Sequence, residues 1–192
     1  MSSAVPRSPW RGHVAVPNRL RPLRAWLTGR HSLTRRLVAA SSSFAVVPLF
    51  EGRTVPRPDE ARLLGLRPGV LARVRQVALV CDGQPAVYGH TLLPLAPRHP
   101  FDRIFRGLGR RPLGGALFAD PRIQRGPLRF RWLDGRHGLG REAARHAMVE
   151  DQALLPRSSG RFLARRSLFS GAGKSVLVTE VFLPGLPPPP AG

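Results

Sequence analysis

Acidic residues are scarce in this chain: 11 against 31 lysines and arginines in 192 residues, a formal net charge of +20. The position of each acid is therefore informative, and Glu180 most of all. It is the one carboxylate after Asp151, and it stands in the middle of the apolar run Ser175 to Leu183. Alternation along a strand puts it on one face with Val176, Val178 and Phe182. An ionised carboxylate on such a face is costly unless something compensates it. Two compensations are open: a structural arginine partner, or a ligand cavity in which the acid moves a proton or holds a polar group.

A second pair of candidates comes from residues 70–94. Two β-branched runs flank Asp82-Gly83, a preferred pair for a two-residue hairpin loop because both positions take positive φ. A tight loop pairs positions whose numbers sum to 165, so Cys81 faces Gln84, Leu79 faces Ala86 and Arg75 faces His90. Arg75 then shares a face with Val77, Leu79 and Cys81. A guanidinium on that face, opposite an imidazole, is unusual for packing alone.

Other motifs fail on spacing or context. Gly171-Ala-Gly-Lys174-Ser175 ends like a phosphate loop, but Leu168 stands where the first glycine belongs, and a strand follows where a helix is needed. It reads as a hairpin turn. His137 and His146 are too far apart, with no carboxylate at a helical ligand spacing, so no metal site is expected. Ser158-Ser159-Gly160 has no nucleophile-elbow pattern. Cys81, the single cysteine, lies in an apolar run and reads as core. It excludes an internal disulfide framework and fits a reducing cytoplasm.

The elements that must position Arg75 and Glu180 are mostly strands. Residues 21–40 carry a helical pattern interrupted at Gly29 to Ser32, with Ser32 a plausible cap for the second of two short helices. Phe44 to Phe50 reads as a strand turned by Glu51-Gly52. Residues 101–118 read as a helix broken at Gly107 to Gly109 and at Pro112. Leu128 to Trp132 and Arg161 to Phe169 read as strands, and Gly140 to Leu155 as a helix. No βαβ repeat occurs, which predicts an α+β fold on an antiparallel sheet. Residues 1–20 are expected to be a disordered basic tail, 21–184 one domain, and 185–192 a proline-rich tail.

Composition narrows the partners. The 42% hydrophobic content supports a core, and no apolar run reaches the roughly 18 residues of a membrane helix. The positive charge invites a nucleic-acid reading, but every basic residue except Lys174 is an arginine, spread along the whole chain rather than clustered among aromatics. Nucleic acid is therefore not the expected partner; a small anion is compatible with the charge.

Three blocks in order resemble the chorismate pyruvate-lyase family: Val74-Arg75-Gln76 through Cys81-Asp82-Gly83-Gln84-Pro85 to Thr91-Leu92-Leu93-Pro94; Leu108-Gly109, Arg111-Pro112-Leu113-Gly114 and Leu117-Phe118; and Ala164-Arg165-Arg166-Ser167 followed by Val176 to Pro184. Ser32 to Leu37 adds a weaker fourth, and the resemblance spans about residues 22–184. It implies a monomer with a six-stranded antiparallel sheet and helices packed against it, and a ligand buried under flaps. It implies no metal and no organic cofactor. The implied reaction removes pyruvate from chorismate and leaves 4-hydroxybenzoate, usually for ubiquinone synthesis. Arg75 would hold the ring carboxylate, with backbone groups at Leu33 and Leu113, and Glu180 would meet the para oxygen. His90 replaces a family arginine expected near that oxygen, and residues from about 121 to 160 are longer than the family pattern. The alternative is a non-catalytic ligand-binding domain of the same fold, as in effector domains of bacterial regulators.

Overall fold

The computed structural model describes residues 10–29, 32–147 and 161–189. Its centre is an antiparallel sheet built on two long hairpins. β2 (Ala72–Cys81) and β3 (Gln84–Pro94) form the first; β6 (Phe162–Gly171) and β7 (Lys174–Phe182) form the second. Both loops use two residues at positive φ, Asp82 at 49° and Gly83 at 77°, then Ala172 at 49° and Gly173 at 70°. That backbone twist matches the twist of the flanking strands. The hairpins join through β3 and β7. β1 (Phe44–Thr54) lies outside β2. The short β4 (Gln124–Arg125) and β5 (Arg129–Leu133) both pair with β6. The order is β1-β2-β3-β7-β6-β4, with β5 beside β6, so the described residues form seven strands where about six are expected.

β1 runs through the expected turn at Glu51-Gly52 and continues to Thr54, because an irregularity between Pro48 and Phe50 absorbs the proline within an edge strand. The first hairpin also departs from simple counting. Cys81 faces Gln84 and Val80 faces Pro85, but Leu79 faces Val87. Ala86 is the extra residue of a bulge, and its carbonyl accepts from the Leu183 N–H at 2.9 Å. Pro85, which has no N–H to donate, sits where the ladder slips. From there on, Arg75 faces Thr91, and His90 faces Gln76.

Helices cover both faces. On the front lie α1 (Arg21–Thr28), α2 (Leu33–Ala39), α4 (Asp102–Arg106) and α5 (Leu113–Ala119). Trp26, Leu27, Leu33 and Leu37 pack with Val46, Leu79, Val87 and Phe182. Phe101, Phe105 and Leu117 pack with Leu93, Phe169 and Val176. The Ser32 hydroxyl accepts from the Arg35 N–H at 3.5 Å, as a cap should. On the back lie α3 (Pro58–Leu63), which its short span hid from periodicity, and α6 (Gly138–Arg145). Leu139 and Ala143 of α6 pack against Tyr88, Ala164 and Val181. α6 thus covers the back face; the expected continuation of this helix past residue 147 lies outside the described residues.

Two expectations about the ends need correction. Trp10 is buried, and Arg11 bridges to Phe130, so residues of the expected N-terminal tail pack onto the domain. At the other end Leu186 is buried, and the Pro187 carbonyl accepts from Trp26 Nε1 at 3.1 Å. Apolar side chains at Trp10 and Leu186 dock these segments despite their proline-rich surroundings.

Candidate functional site

Antiparallel pairing lines residues up in rows across the front face. One row runs Val77, Gly89, Glu180, Arg165, Phe130; the next runs Arg75, Thr91, Val178, Ser167. Over these rows lies a cavity of about 670 Å³, measured to its open mouth. Its roof comes from Leu33 and Thr34 at the start of α2 and from Pro112, Leu113 and Gly114 at the start of α5. The two helix starts approach closely: a Cβ on Gly114 would lie 3.3 Å from Ser32 Oγ and 3.4 Å from Thr34 Oγ1. First-turn N–H groups have no partner within their helix, so Leu33 and Leu113 bring backbone donors to the roof. The floor is opened by Gly89, where a Cβ would press on Val77 Cγ2 at 3.0 Å.

Arg75 is buried in this cavity wall. Its guanidinium pairs with Glu51, the residue opposite it on β1. Its Nη2 donates to the carbonyls of Gly109 at 2.7 Å and Arg111 at 3.4 Å, in the segment leading to α5. Arg75 therefore ties the covering segment to the sheet and keeps a cation at that end of the cavity.

Glu180 lies in the other row. Its Oε2 accepts from Arg165 Nε at 2.6 Å, and its side chain stays 18% exposed while that of Arg165 is 1% exposed. Arg165 Nη1 also donates to the carbonyls of Trp26 at 2.8 Å and Leu27 at 2.9 Å, in the last turn of α1. Both compensations open for Glu180 are realised together: it has a structural arginine, and it lines the cavity.

Leu33, Leu113, Arg75 and Glu180 thus meet around one space. His90 does not. The bulge at Ala86 turns it to the back face, where it stands 3.4 Å from Glu60 Oε1 through Nε2 and 3.5 Å from Gln76 Nε2 through Nδ1. Its assignment to the ligand is corrected by this register. The back face holds a closed polar ring. Arg57 pairs with Glu60 at 3.3 Å and with Glu142 at 2.8 Å. Glu142 Oε2 accepts from Tyr88 at 2.7 Å and from Gln76 at 3.1 Å. Burial alone would raise the Glu60 pKa, but the His90 ring and Arg57 outweigh it and hold the carboxyl at about 2. Burial and Glu142 push the Tyr88 phenol well above its usual range, so it stays neutral.

Arg165, Arg125, Ser167 and Thr91 line the cavity and were not singled out from sequence. One signal could have found Arg165: a tight loop at Ala172-Gly173 places it directly opposite Glu180, as observed. Arg125 lies on a two-residue strand that no periodicity reveals. Among the described residues, no group of three His, Cys, Asp or Glu side chains is placed to hold a metal ion, and no helix is long and apolar enough to cross a membrane.

Comparison with known proteins bears on the fold and the family. Structurally, the chain is similar to the C-terminal domain of PhnF, with a TM-score of 0.55 and 10% identity over 83% of this chain and 94% of that one. The effector domain of PhnF from Mycobacterium smegmatis gives 0.52 and 16% over 81% and 90%. These likenesses establish the fold. In sequence, it is 46% identical to a probable chorismate pyruvate-lyase of Ralstonia nicotianae over 96% of this chain and 95% of that one. It is 48% identical to another of Aromatoleum aromaticum over 88% and 86%. The chorismate lyase family model matches residues 18–187. With that match across nearly the whole described fold, the chain belongs to the chorismate lyase family.

Proposed function

We infer that the chain is a chorismate pyruvate-lyase and that the front-face cavity is where it works. The observation that carries this reading is the pairing of Arg75 and Glu180 in separate rows of one apolar cavity, in a chain of this family. Chorismate is a ring with a carboxylate at one end and, at the other, a hydroxyl beside an enolpyruvyl ether. In the reaction the hydroxyl-bearing carbon loses its proton, and the C–O bond on the neighbouring carbon breaks. The enolpyruvate departs, takes a proton on its methylene carbon and becomes pyruvate. The ring is left aromatic as 4-hydroxybenzoate. The product is strongly favoured, so positioning and electrostatics are the main tasks.

Arg75 supplies positive charge at the ring-carboxylate end, its Nη groups being engaged by Glu51, Gly109 and Arg111, and the backbone at Leu33 and Leu113 supplies donors there. Glu180 is then at the hydroxyl end, where a carboxylate accepts a hydrogen bond or assists proton movement. Arg165, through its Nε, fixes that carboxylate in place. The reading includes a monomer working in the cytoplasm without metal or organic cofactor, its product directed to ubiquinone synthesis.

The test is direct. Purified protein is mixed with chorismate, and pyruvate and 4-hydroxybenzoate are quantified. Equimolar appearance of both, persisting in strong chelator, is expected. Binding of 4-hydroxybenzoate with no cleavage would instead make the chain a ligand-binding domain of the regulator-effector kind.

A further inference from the structure

A line from Arg75 to Glu180 crosses the cavity floor obliquely, and its two sides differ. On one stand Val77 and Leu79 of β2 and Val46, which faces Leu79 from β1. These side chains are all apolar. On the other stand Val178 of β7, Ser167 opposite it on β6, Phe169, and Arg125 at the end of β4. Ser167 is buried, and its hydroxyl is engaged as an acceptor: Arg125 Nε donates to Ser167 Oγ at 2.9 Å. The guanidinium carbon of Arg125 lies 5.7 Å from the Phe118 ring centre and 5.6 Å from that of Phe169, so both rings help to hold that donor. A hydroxyl also carries one proton of its own to donate. Among the described residues, no acceptor takes the Ser167 proton. β4 lies on one side of β6 and β7 on the other. A hydroxyl that accepts from the β4 side therefore turns its proton towards β7 and the cavity.

We propose that the Ser167 hydroxyl donates a hydrogen bond to the ether oxygen of chorismate, the oxygen that leaves with the enolpyruvyl group. The inference rests on the lyase reading of the same cavity. With the ring carboxylate at Arg75 and the ring hydroxyl at Glu180, the ether on the next carbon lies to one side of the line joining them. The polar enolpyruvyl group fits the side that carries Ser167, not the side lined by Val46, Val77 and Leu79. Ser167 is the diagonal neighbour of Glu180 across β6 and β7, a spacing that suits two groups acting on oxygens of adjacent ring carbons. Thr91, the other hydroxyl of that row, faces Arg75 at the carboxylate end. As the C–O bond breaks, its electron pair passes to the ether oxygen, which becomes the enolate oxygen of enolpyruvate. A donor already in place there stabilises charge that is absent from the ground state, so it acts on the chemical step more than on binding. Donation from Arg125 polarises the Ser167 hydroxyl and strengthens the hydrogen bond it gives. The Ser167 proton stays on its own oxygen throughout, and the enolpyruvate takes up its proton from water at the methylene carbon.

The experiment uses the full chain and two variants, Ser167→Ala and Ser167→Cys, the second keeping the shape but offering only a weak donor. Measured are kcat and KM for chorismate, and Kd for 4-hydroxybenzoate, which lacks the ether oxygen. In Ser167→Ala, kcat is expected to fall roughly 10²- to 10³-fold, the range for removing one donor to a developing oxyanion. KM and the product Kd are expected to stay within about threefold of wild type, the mark of an interaction made only in the transition state. An unchanged product Kd also reports that the cavity is folded. Ser167→Cys should lie between the alanine variant and wild type, and it decides by the same split if the alanine variant does not fold. Three results would overturn the assignment of Ser167 while leaving the lyase reading intact: wild-type kcat in the alanine variant, a loss carried by KM with kcat unchanged, or an equal weakening of the product. Wild-type protein that binds 4-hydroxybenzoate but does not cleave chorismate would overturn the lyase reading, and this inference with it.

Discussion

The two faces of the same sheet carry the same kinds of residue to different ends. On the back, the row Gln76, His90, Thr179, Arg166 lies under α3 and α6. Its charges are answered by other side chains: Asp59 takes Arg166 at 2.6 Å and Trp10 Nε1 at 3.1 Å, while Glu60 and Glu142 close the ring through Arg57. On the front, the rows holding Arg75, Glu180 and Arg165 lie under a cavity. A buried charge is thus no sign of a ligand site by itself; what the group faces decides. The front turns its polar groups towards a cavity, and the back uses them to join α6 to the sheet.

The largest separation of the faces is expected from Glu180→Gln. The amide keeps the shape but cannot take a proton, so turnover should fall ~10²–10⁴-fold. The melting temperature should fall only modestly, because Arg165 retains two backbone acceptors. Wild-type turnover per folded molecule would make Glu180 structural. Glu60→Gln is the mirror experiment. Breaking a buried pair costs about 3–5 kcal/mol, seen in denaturant unfolding, while turnover per folded molecule stays within about twofold of wild type. A large loss of turnover there would show that the faces are not independent.

Acid gives a related result without mutation. The Glu60 carboxyl titrates at about 2 in the fold against an ordinary 4.5. The unfolded chain therefore binds the proton first. The stabilisation from this group is fully present above about pH 5 and lost as pH falls towards 2, about 3 kcal/mol in all. Unfolding free energies measured across that range should drop in wild type and flatten in Glu60→Gln. On the front, Arg75→Ala should weaken 4-hydroxybenzoate by roughly 1.5–3 kcal/mol in calorimetry, with Lys a partial rescue. Unchanged affinity would remove Arg75 from the site. The smallest effect is expected from His90→Gln: less than about a twofold change in product Kd. A large change would restore His90 to the ligand and contradict the bulge at Ala86.

The hairpins, and with them Arg75 and Glu180, were legible because loop chemistry and alternation are local. The second hairpin kept its count from Ala172-Gly173 down to Arg165 opposite Glu180. The first lost it at one residue. A bulge moves every later side chain to the other face, so the same counting that placed Arg75 correctly misplaced His90. The roof residues Leu33 and Leu113 came from family resemblance alone, since a first-turn backbone donor leaves no mark in residue type. Arg125 and the back-face ring were not legible, because each depends on which distant elements pack together.

The seam between the hairpins has a consequence for how the protein comes together. Each hairpin is contiguous and can close in roughly 1–10 μs, whereas β3 and β7 meet only after a long stretch of chain is looped out, at a cost in closure entropy. Arg75 and Thr91 arrive on one hairpin, Arg165 and Glu180 on the other. If the front cavity is the binding site, as proposed, neither half contains it and ligand affinity arises only as the seam zips. Product or substrate then acts as a fastener on this junction: by binding the zipped form alone it adds to stability by mass action, and protection of the β3 and β7 amides from exchange should rise with its concentration ahead of those at either hairpin loop.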